Sequence, residues 1–210
     1  MYNLSYFKAA DQAEVIAFMK AHPFITLCGV GKDGFPVATH VPVLFEERDG
    51  KLFLLAHIMR KQNHTVAFEN NPNVLAIFTG AHSYVSASWY PQQNVASTWN
   101  YQAIHAKGAL TFLDEKGLHD LLVKLTDTFE GNPHSPAAVK NMDENYVTNL
   151  MKAIVAFEIE ITDLQHVFKL SQNHKEQSYN NITEQLSSGT DEDKAVAAVM
   201  KDRKDKVFFR

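Results

Sequence analysis

The chain has 210 residues, 45% of them hydrophobic and 21% charged, a composition that suits a folded globular protein able to bury one large core or two small ones. No apolar run reaches the roughly 18 to 20 residues of a membrane-spanning helix, and Met1 to Ser5 lacks the basic and apolar regions of a secretory signal, which predicts a cytoplasmic protein with no membrane partner. A formal net charge of −4 gives no global attraction to nucleic acid or an anionic membrane, so contact with either needs a local basic patch.

In chain order, a first helix is expected from Asp11, whose spacing to Glu14 is that of a capping box. Val15, Ile16, Phe18 and Met19 mark its apolar face, and His22-Pro23 stops it. From Phe24 the pattern becomes that of strands: Phe24 to Val30, a turn at Gly31 to Gly34, Phe35 to Phe45, and Lys51 to His57 after Asp49-Gly50. Asp-Gly between apolar runs is a strong hairpin signal and predicts three antiparallel strands in a meander. Pro36 and Pro42 fit an edge, a strand start or a bulge. The single cysteine, Cys28, lies in the first of these runs, so no intrachain disulfide can form and a buried, inert thiol is expected.

Arg60 to Asn71 reads as a short helix that opens on two cations and is ended by Asn71-Pro72. Val74 to Gly80 reads as a strand. Tyr84 to Tyr90 and Val95 to Tyr101 add two more around a loop, the second running on to Leu110. Leu118, Leu121, Leu122, Leu125 and Phe129 recur at helical spacing up to Gly131. Ile154 to Ile161 returns to strand, with Glu158 and Glu160 on one face, read as solvated. Two polar helices follow, near Lys175 to Leu186 and near Asp191 to Asp202, the second begun by Thr190 with Asp193 three residues on. Neither shows a large apolar face, which predicts a peripheral C-terminal tail over residues 174–210 attached to a domain spanning residues 1–173.

The chemistry-bearing residues concentrate in a few places. The two tryptophans, Trp89 and Trp99, sit among serines, Asn100 and the tyrosines Tyr84, Tyr90 and Tyr101. Aromatic faces interleaved with short hydroxyl and amide groups suit a planar polar ligand, and the same residues would equally serve to fill a barrel as strand, bend and strand. Arg60 and Lys61 beside a helix start would make a phosphate site directly after a strand, since free backbone amides and the helix dipole favour an anion there. Together with Thr39-His40, the aromatic stretch and Lys169 to Asn173, they supply a phosphate end and a flat-ring end for one ligand. The sequence has no P-loop, Gly-x-Gly-x-x-Gly, Gly-x-Ser-x-Gly, Cys-x-x-Cys or His-Glu-x-x-His motif, and its ten histidines show no ligand spacing with a Cys or carboxylate, so neither a catalytic residue nor a metal site is expected.

Five runs in order, Pro36 to Pro42, His57 to Arg60, Ser86 to Tyr90, Thr98 to Tyr101 and Phe168 to Asn173, give the chain a resemblance to the FMN-binding negative transcriptional regulators of the PaiB type. The resemblance covers Phe7 to about Asn173. It departs from the family's pattern at Ala87, at Ala96-Ser97 and at Gln62-Asn63. It implies an α+β, mainly β fold: an FMN-binding split β-barrel related to pyridoxamine phosphate oxidases, with peripheral helices and a C-terminal helical tail. It further implies a homodimer with FMN at the subunit interface and repression of sporulation and degradative-enzyme genes. Carried over residue by residue, it implies cofactor contacts from Thr39, His40, His57, Arg60, Lys61, Asn63, Trp89, Trp99, Asn100, Tyr101, Lys169 and Gln172. A regulator that touches DNA needs a basic surface. The one basic cluster, Lys201, Arg203, Lys204, Lys206 and Arg210, is diluted by Asp202 and Asp205, so a direct DNA contact has a weak footprint. The alternative expectation is a flavin-dependent oxidoreductase of the pyridoxamine phosphate oxidase-like class.

Overall fold

The structure, a computed structural model, describes all residues except 3, 10, 209 and 210, so Arg210 of the C-terminal basic cluster lies outside the described residues. Among the described residues there are seven strands, β1 (Phe24–Val30), β2 (Pro36–Pro42), β3 (Leu44–Arg48), β4 (Lys51–Met59), β5 (Asn73–Val85), β6 (Thr98–Phe112) and β7 (Ile154–Lys169). The six helices are α1 (Gln12–Ala21), α2 (Asn63–Asn70), α3 (Glu115–Glu130), α4 (Glu144–Met151), α5 (Glu176–Ser187) and α6 (Asp191–Phe208). The strands form one sheet in the order β2-β1-β5-β6-β7-β4-β3, with β1 antiparallel to β2 and β5, and β4 antiparallel to β3 and β7. This is the mainly β, split-barrel class that the sequence implies. No helix of the described residues is long and apolar enough to cross a membrane.

The strand boundaries depart from expectation at two segments, Phe35 to Phe45 and Tyr84 to Tyr90. Phe35 to Phe45 is not one strand: β2 ends at Pro42, the amide of Val43 donates to the Pro23 carbonyl at 2.9 Å, and β3 begins at Leu44. A proline has no amide to continue the ladder, so the chain leaves β1 there and pairs next with β4. The meander is therefore two hairpins whose outer strands, β2 and β3, stand at opposite ends of the strand order. The turn between β3 and β4 is the Asp-Gly turn foreseen, with both residues at positive φ, 52° for Asp49 and 73° for Gly50, the pair of left-handed angles a two-residue hairpin loop requires. Tyr84 and Val85 end β5 rather than opening a strand of their own, and Ala87–Trp89 is a single 3-10 turn.

The chain divides into two compact units, one of residues 20–78 and 105–164, the other of residues 1–19, 79–104 and 165–210. In the first, α3 follows its sequence pattern. Asp114 caps it by accepting from the Gly117 amide at 2.7 Å, Gly131 closes it at φ 60°, and Leu118, Leu121 and Leu125 are buried with Phe53, Leu55, Val147, Met151 and Ala156. Burying each leucine contributes about 1.5–3 kcal/mol. Phe129, expected on that face, lies in the last turn of α3 and is 53% exposed. Helix α4, which the sequence pattern did not reveal, completes this core through Val147 and Met151, capped by Asp143. Glu158 and Glu160 lie on the expected solvated face of β7, where Arg48 and Lys51 pair with them at 2.5 and 2.7 Å. Cys28 is half-buried rather than buried, because β1 alternates and turns Ile25, Leu27 and Gly29 to the covered side.

In the second unit the two C-terminal helices do carry apolar faces. Helix α5 buries Tyr179, Ile182 and Leu186, and α6 buries Val196, Ala197 and Met200. The stripe was obscured because polar residues share it: Ser178 and Thr183 are buried in the same face of α5. The Tyr179 hydroxyl donates to the Met200 carbonyl at 2.8 Å, and burial pushes its pKa up to about 12. Helix α6 starts on the Thr190–Asp193 capping box and is tied to β5, since Asp193 accepts from the Ser83 hydroxyl and Glu192 accepts from the His82 amide at 3.0 Å. Near its other end, Arg203 is 5% exposed and pairs with Glu14 of α1, whose own amide is capped by Asp11 at 2.9 Å. The segment beyond residue 173 thus packs with residues 1–19, 79–104 and 165–173 as one compact body.

Candidate cofactor site

The expected cofactor residues divide evenly. Thr39, His40, His57, Arg60, Lys61 and Asn63 belong to the unit of residues 20–78 and 105–164; Trp89, Trp99, Asn100, Tyr101, Lys169 and Gln172 belong to the other.

The first set is built by the step from β4 into α2. The Arg60 amide donates to the Ala153 carbonyl at 2.9 Å, which holds the end of β4 in the sheet. Lys61 then takes a left-handed backbone at φ 60°, and the chain turns into α2. The helix therefore begins at Asn63, not at Arg60: the two cations sit in the turn before it, and the Thr65 hydroxyl fastens its first turn to the Met59 carbonyl at 2.6 Å. Gln62 at the N-cap supplies no side-chain bond, so the first-turn amides of α2 carry no side-chain cap. Helix α2 packs on β1 and β2, and it can approach closely because position 29 is glycine: a Cβ there would stand 2.6 Å from the Phe68 ring.

Around this turn Arg60, Lys61 and Asn63 are exposed, and neither cation makes an ion pair or side-chain hydrogen bond among the described residues. His57, two residues before the end of β4, is half-buried, and its buried Nδ1 has no hydrogen-bond partner among the described residues. Burial lowers its pKa and favours the neutral imidazole. His64, which sequence reasoning passed over although it adjoins Asn63, lies in the first turn of α2, half-buried against Phe68 with ring centroids 6.1 Å apart. Thr39 and His40 are neighbours on β2 and so point to opposite faces. Thr39 shares the side of buried Val41, whereas His40 is exposed and stacks on Phe24 at 6.3 Å. An uncapped helix start, two unpaired cations and an orphaned buried imidazole form a donor set suited to a phosphate.

The second set is mostly spent on the protein itself. Asn100 is completely buried; its carbonyl oxygen accepts from the Ser171 hydroxyl at 2.9 Å, and its amide donates to the Met200 sulfur at 3.5 Å. Lys169 donates to the Thr98 hydroxyl and, at 2.6 Å, to the Trp99 carbonyl, while burial lowers its pKa. Gln172 closes its own turn, accepting from the Leu170 amide at 2.7 Å and donating to the Phe168 carbonyl at 2.5 Å. Ser171 at the centre is left-handed, φ 61°. Trp89 is half-buried, with its carbonyl bonded by Asn181 at 3.2 Å, and Tyr101 is half-buried. Trp99 differs: it is 53% exposed, with His82 and Tyr84 rings 6.0 and 5.9 Å from its own, an aromatic shelf open to solvent.

Residues 1–163 match the family model described as "Putative FMN-binding domain". The chain belongs to this family. FMN is accordingly its cofactor, and the donor set at the β4–α2 turn fits the phosphate of that group. The chain is 33% identical over 204 residues to "Protease synthase and sporulation protein PAI 2" of Bacillus subtilis (strain 168), covering 97% of this chain and 98% of that protein, which makes it a PaiB-like member. Among solved structures, the fold is shared with a conserved hypothetical protein, Rv2991, of Mycobacterium tuberculosis at TM-score 0.57 and 15% identity, over 83% of this chain and 94% of that one. It is shared also with a FAD and heme binding protein of Mycobacterium smegmatis at TM-score 0.57 and 18% identity, over 77% of this chain and 72% of that one.

Proposed function

We propose that this chain is a cytoplasmic, homodimeric negative regulator of the PaiB type that holds FMN by its phosphate at the β4–α2 turn and acts on transcription through another macromolecule, not by gripping DNA itself. The observation that carries the FMN placement is the turn's donor set, unspent among the described residues: Arg60 and Lys61 without side-chain partners, α2 amides without a side-chain cap, and the orphaned His57 Nδ1. Arg60 offers a planar fork to phosphate oxygens and Lys61 a point charge, while Asn63 and the first-turn amides add neutral donors. When bound, FMN supplies one- and two-electron redox chemistry at its ring. The chain's own task at this turn is to anchor and orient it.

The indirect route to transcription rests on the fate of the basic cluster. Arg203 is buried against Glu14, Lys204 lies 3.1 Å from Glu176, and Lys206 lies 3.9 Å from Glu14. Of the described cluster, Lys201 is the one exposed cation with no ion pair among the described residues, and a single free cation adds little to DNA affinity. The role in protease synthesis and sporulation that names the Bacillus subtilis relative is the process we assign by homology. The exposed shelf of Trp99 and Tyr84 provides apolar area for the second protomer.

The second reading, a flavin-dependent oxidoreductase of the pyridoxamine phosphate oxidase-like class, is favoured by the fold shared with a FAD and heme binding protein. Two measurements on the purified protein separate the readings. A flavin absorption band with negligible turnover of NAD(P)H, and no sequence-selective shift of promoter DNA at physiological salt, is the expected result. Steady turnover favours the oxidoreductase, and tight selective DNA binding by the protein alone contradicts the indirect route.

A further inference from the structure

We propose that the chain carries a second small-molecule site, distinct from the FMN turn, which binds a monocarboxylate with a hydrophobic body. The site is a cavity of about 530 Å³ in the unit of residues 20–78 and 105–164, between the last turn of α3, strand β3 and the start of β1. That volume falls within the range of about 300–1,000 Å³ typical of small-ligand sites. Its walls are Pro23, Val43, Leu44, Phe45, Leu55 and Phe129. None of the twelve residues expected to touch FMN lines it.

Two features define the ligand. The first is the apolar wall. Phe129 recurs at core spacing in α3 yet is 53% exposed, because it faces the cavity instead of the packed sheet, and Phe45 is held opposite by Phe78, with ring centroids 6.0 Å apart. An aromatic ring left this exposed beside a hollow gains by being covered with apolar surface. The second is the charge around it. Lys124 lies 3.6 Å from Glu46, so that pair is neutral as a unit. Lys20 is exposed and makes no ion pair or side-chain hydrogen bond among the described residues. One uncompensated cation over an apolar cavity complements one negative charge on a hydrophobic body. A nucleotide, with several charges and a polar sugar, matches neither feature, which sets the site apart from the FMN turn.

The test is calorimetric titration of the FMN-loaded protein with decanoate and, separately, with decanol. We expect saturable decanoate binding that leaves FMN bound. Lys20→Glu should weaken decanoate by roughly three- to tenfold and leave decanol unchanged, since an exposed charge contributes modestly. Thr128→Trp, at an exposed α3 position lining the cavity, should fill it and remove binding of both ligands while FMN affinity stays at the parent value. The proposal is overturned if decanoate does not saturate, if it displaces FMN, if Lys20→Glu affects decanol and decanoate alike, or if Thr128→Trp binds both as tightly as the parent. Dissociation of a dimer by decanoate in sedimentation velocity would also overturn it, because the cavity would then be covered by a second copy.

Discussion

Two turns that each follow a long strand, Arg60 to Gln62 after β4 and Leu170 to Asn173 after β7, share a backbone device and use it differently. Each contains a left-handed residue other than glycine, Lys61 at φ 60° and Ser171 at φ 61°, a conformation that costs on the order of 1 kcal/mol or more. At Ser171 the cost is offset within the protein: its hydroxyl bonds Asn100, Gln172 clamps the turn on both sides, and the residue is 3% exposed. At Lys61 no side-chain bond offsets it among the described residues, and Arg60, Lys61 and Asn63 are exposed. The strain at Ser171 is held by its own neighbours, whereas that at Lys61 stands beside the unspent donors to which the FMN phosphate is assigned in our proposal.

Four substitutions probe the two turns and what surrounds them. The largest effect is expected from Arg203→Ala, which removes the nearer of two cations beside Glu14, leaving Lys206 at 3.9 Å, and takes the guanidinium from the Phe168 ring, 5.2 Å away. Breaking a buried pair on one side costs about 3 kcal/mol or more, read as a lower denaturant midpoint, with FMN affinity of the folded protein preserved. Asn100→Ala comes next: it leaves the buried Ser171 hydroxyl unpaired and should cost about 2 kcal/mol by the same measurement. Lys61→Gly should instead raise stability, by about 0.5–1 kcal/mol, because glycine adopts the left-handed angle without strain, while weakening FMN through the lost charge.

The smallest effect concerns pH. Burial lowers the pKa of His57 in the folded state below its unfolded value, so the unfolded chain takes up the proton first as pH falls. The neutral imidazole's contribution is therefore fully present above the ordinary histidine range and is lost as pH drops through the unfolded value toward the folded one. Chemical denaturation between pH 7 and 5 should show a shallower loss of stability in His57→Gln than in the parent. His64, His105, His166 and His174 are shifted the same way and set the remaining slope.

Much of the fold was legible where structure is local. The Leu118 to Leu125 stripe, the Asp49-Gly50 turn and the Asp11 and Thr190 caps each depend on contacts within a few residues, so spacing alone reveals them. The meander was misread because Pro42 and Val43 redirect the chain, and a strand's partner is a long-range choice. The apolar stripe of α5 was hidden by buried Ser178 and Thr183, and that of α6 by buried Arg203. At the candidate site, the residue types around Arg60 and Lys61 pointed to a phosphate, but the helix start was displaced by three residues because Lys61 is left-handed. The internal use of Asn100 was invisible: its partner Ser171 lies 71 positions away, and a buried amide that bonds another side chain has the same sequence signature as one that awaits a ligand. The Arg203–Glu14 pair, 189 positions apart, was out of reach for the same reason.

The measurement that bears most directly on the β4–α2 turn is a paired fluorescence titration of the parent and Arg60→Ala with FMN and with riboflavin at one salt concentration. Riboflavin lacks the phosphate, so the difference between the two ligands isolates that group's contribution. Hydrogen bonds to a charged group are worth about 1.5–3 kcal/mol, so Arg60→Ala is expected to lose roughly ten- to a hundredfold in FMN affinity and to leave riboflavin unchanged. Equal FMN affinity in the parent and the variant would contradict this expectation and reduce Arg60 and Lys61 to a solvated turn.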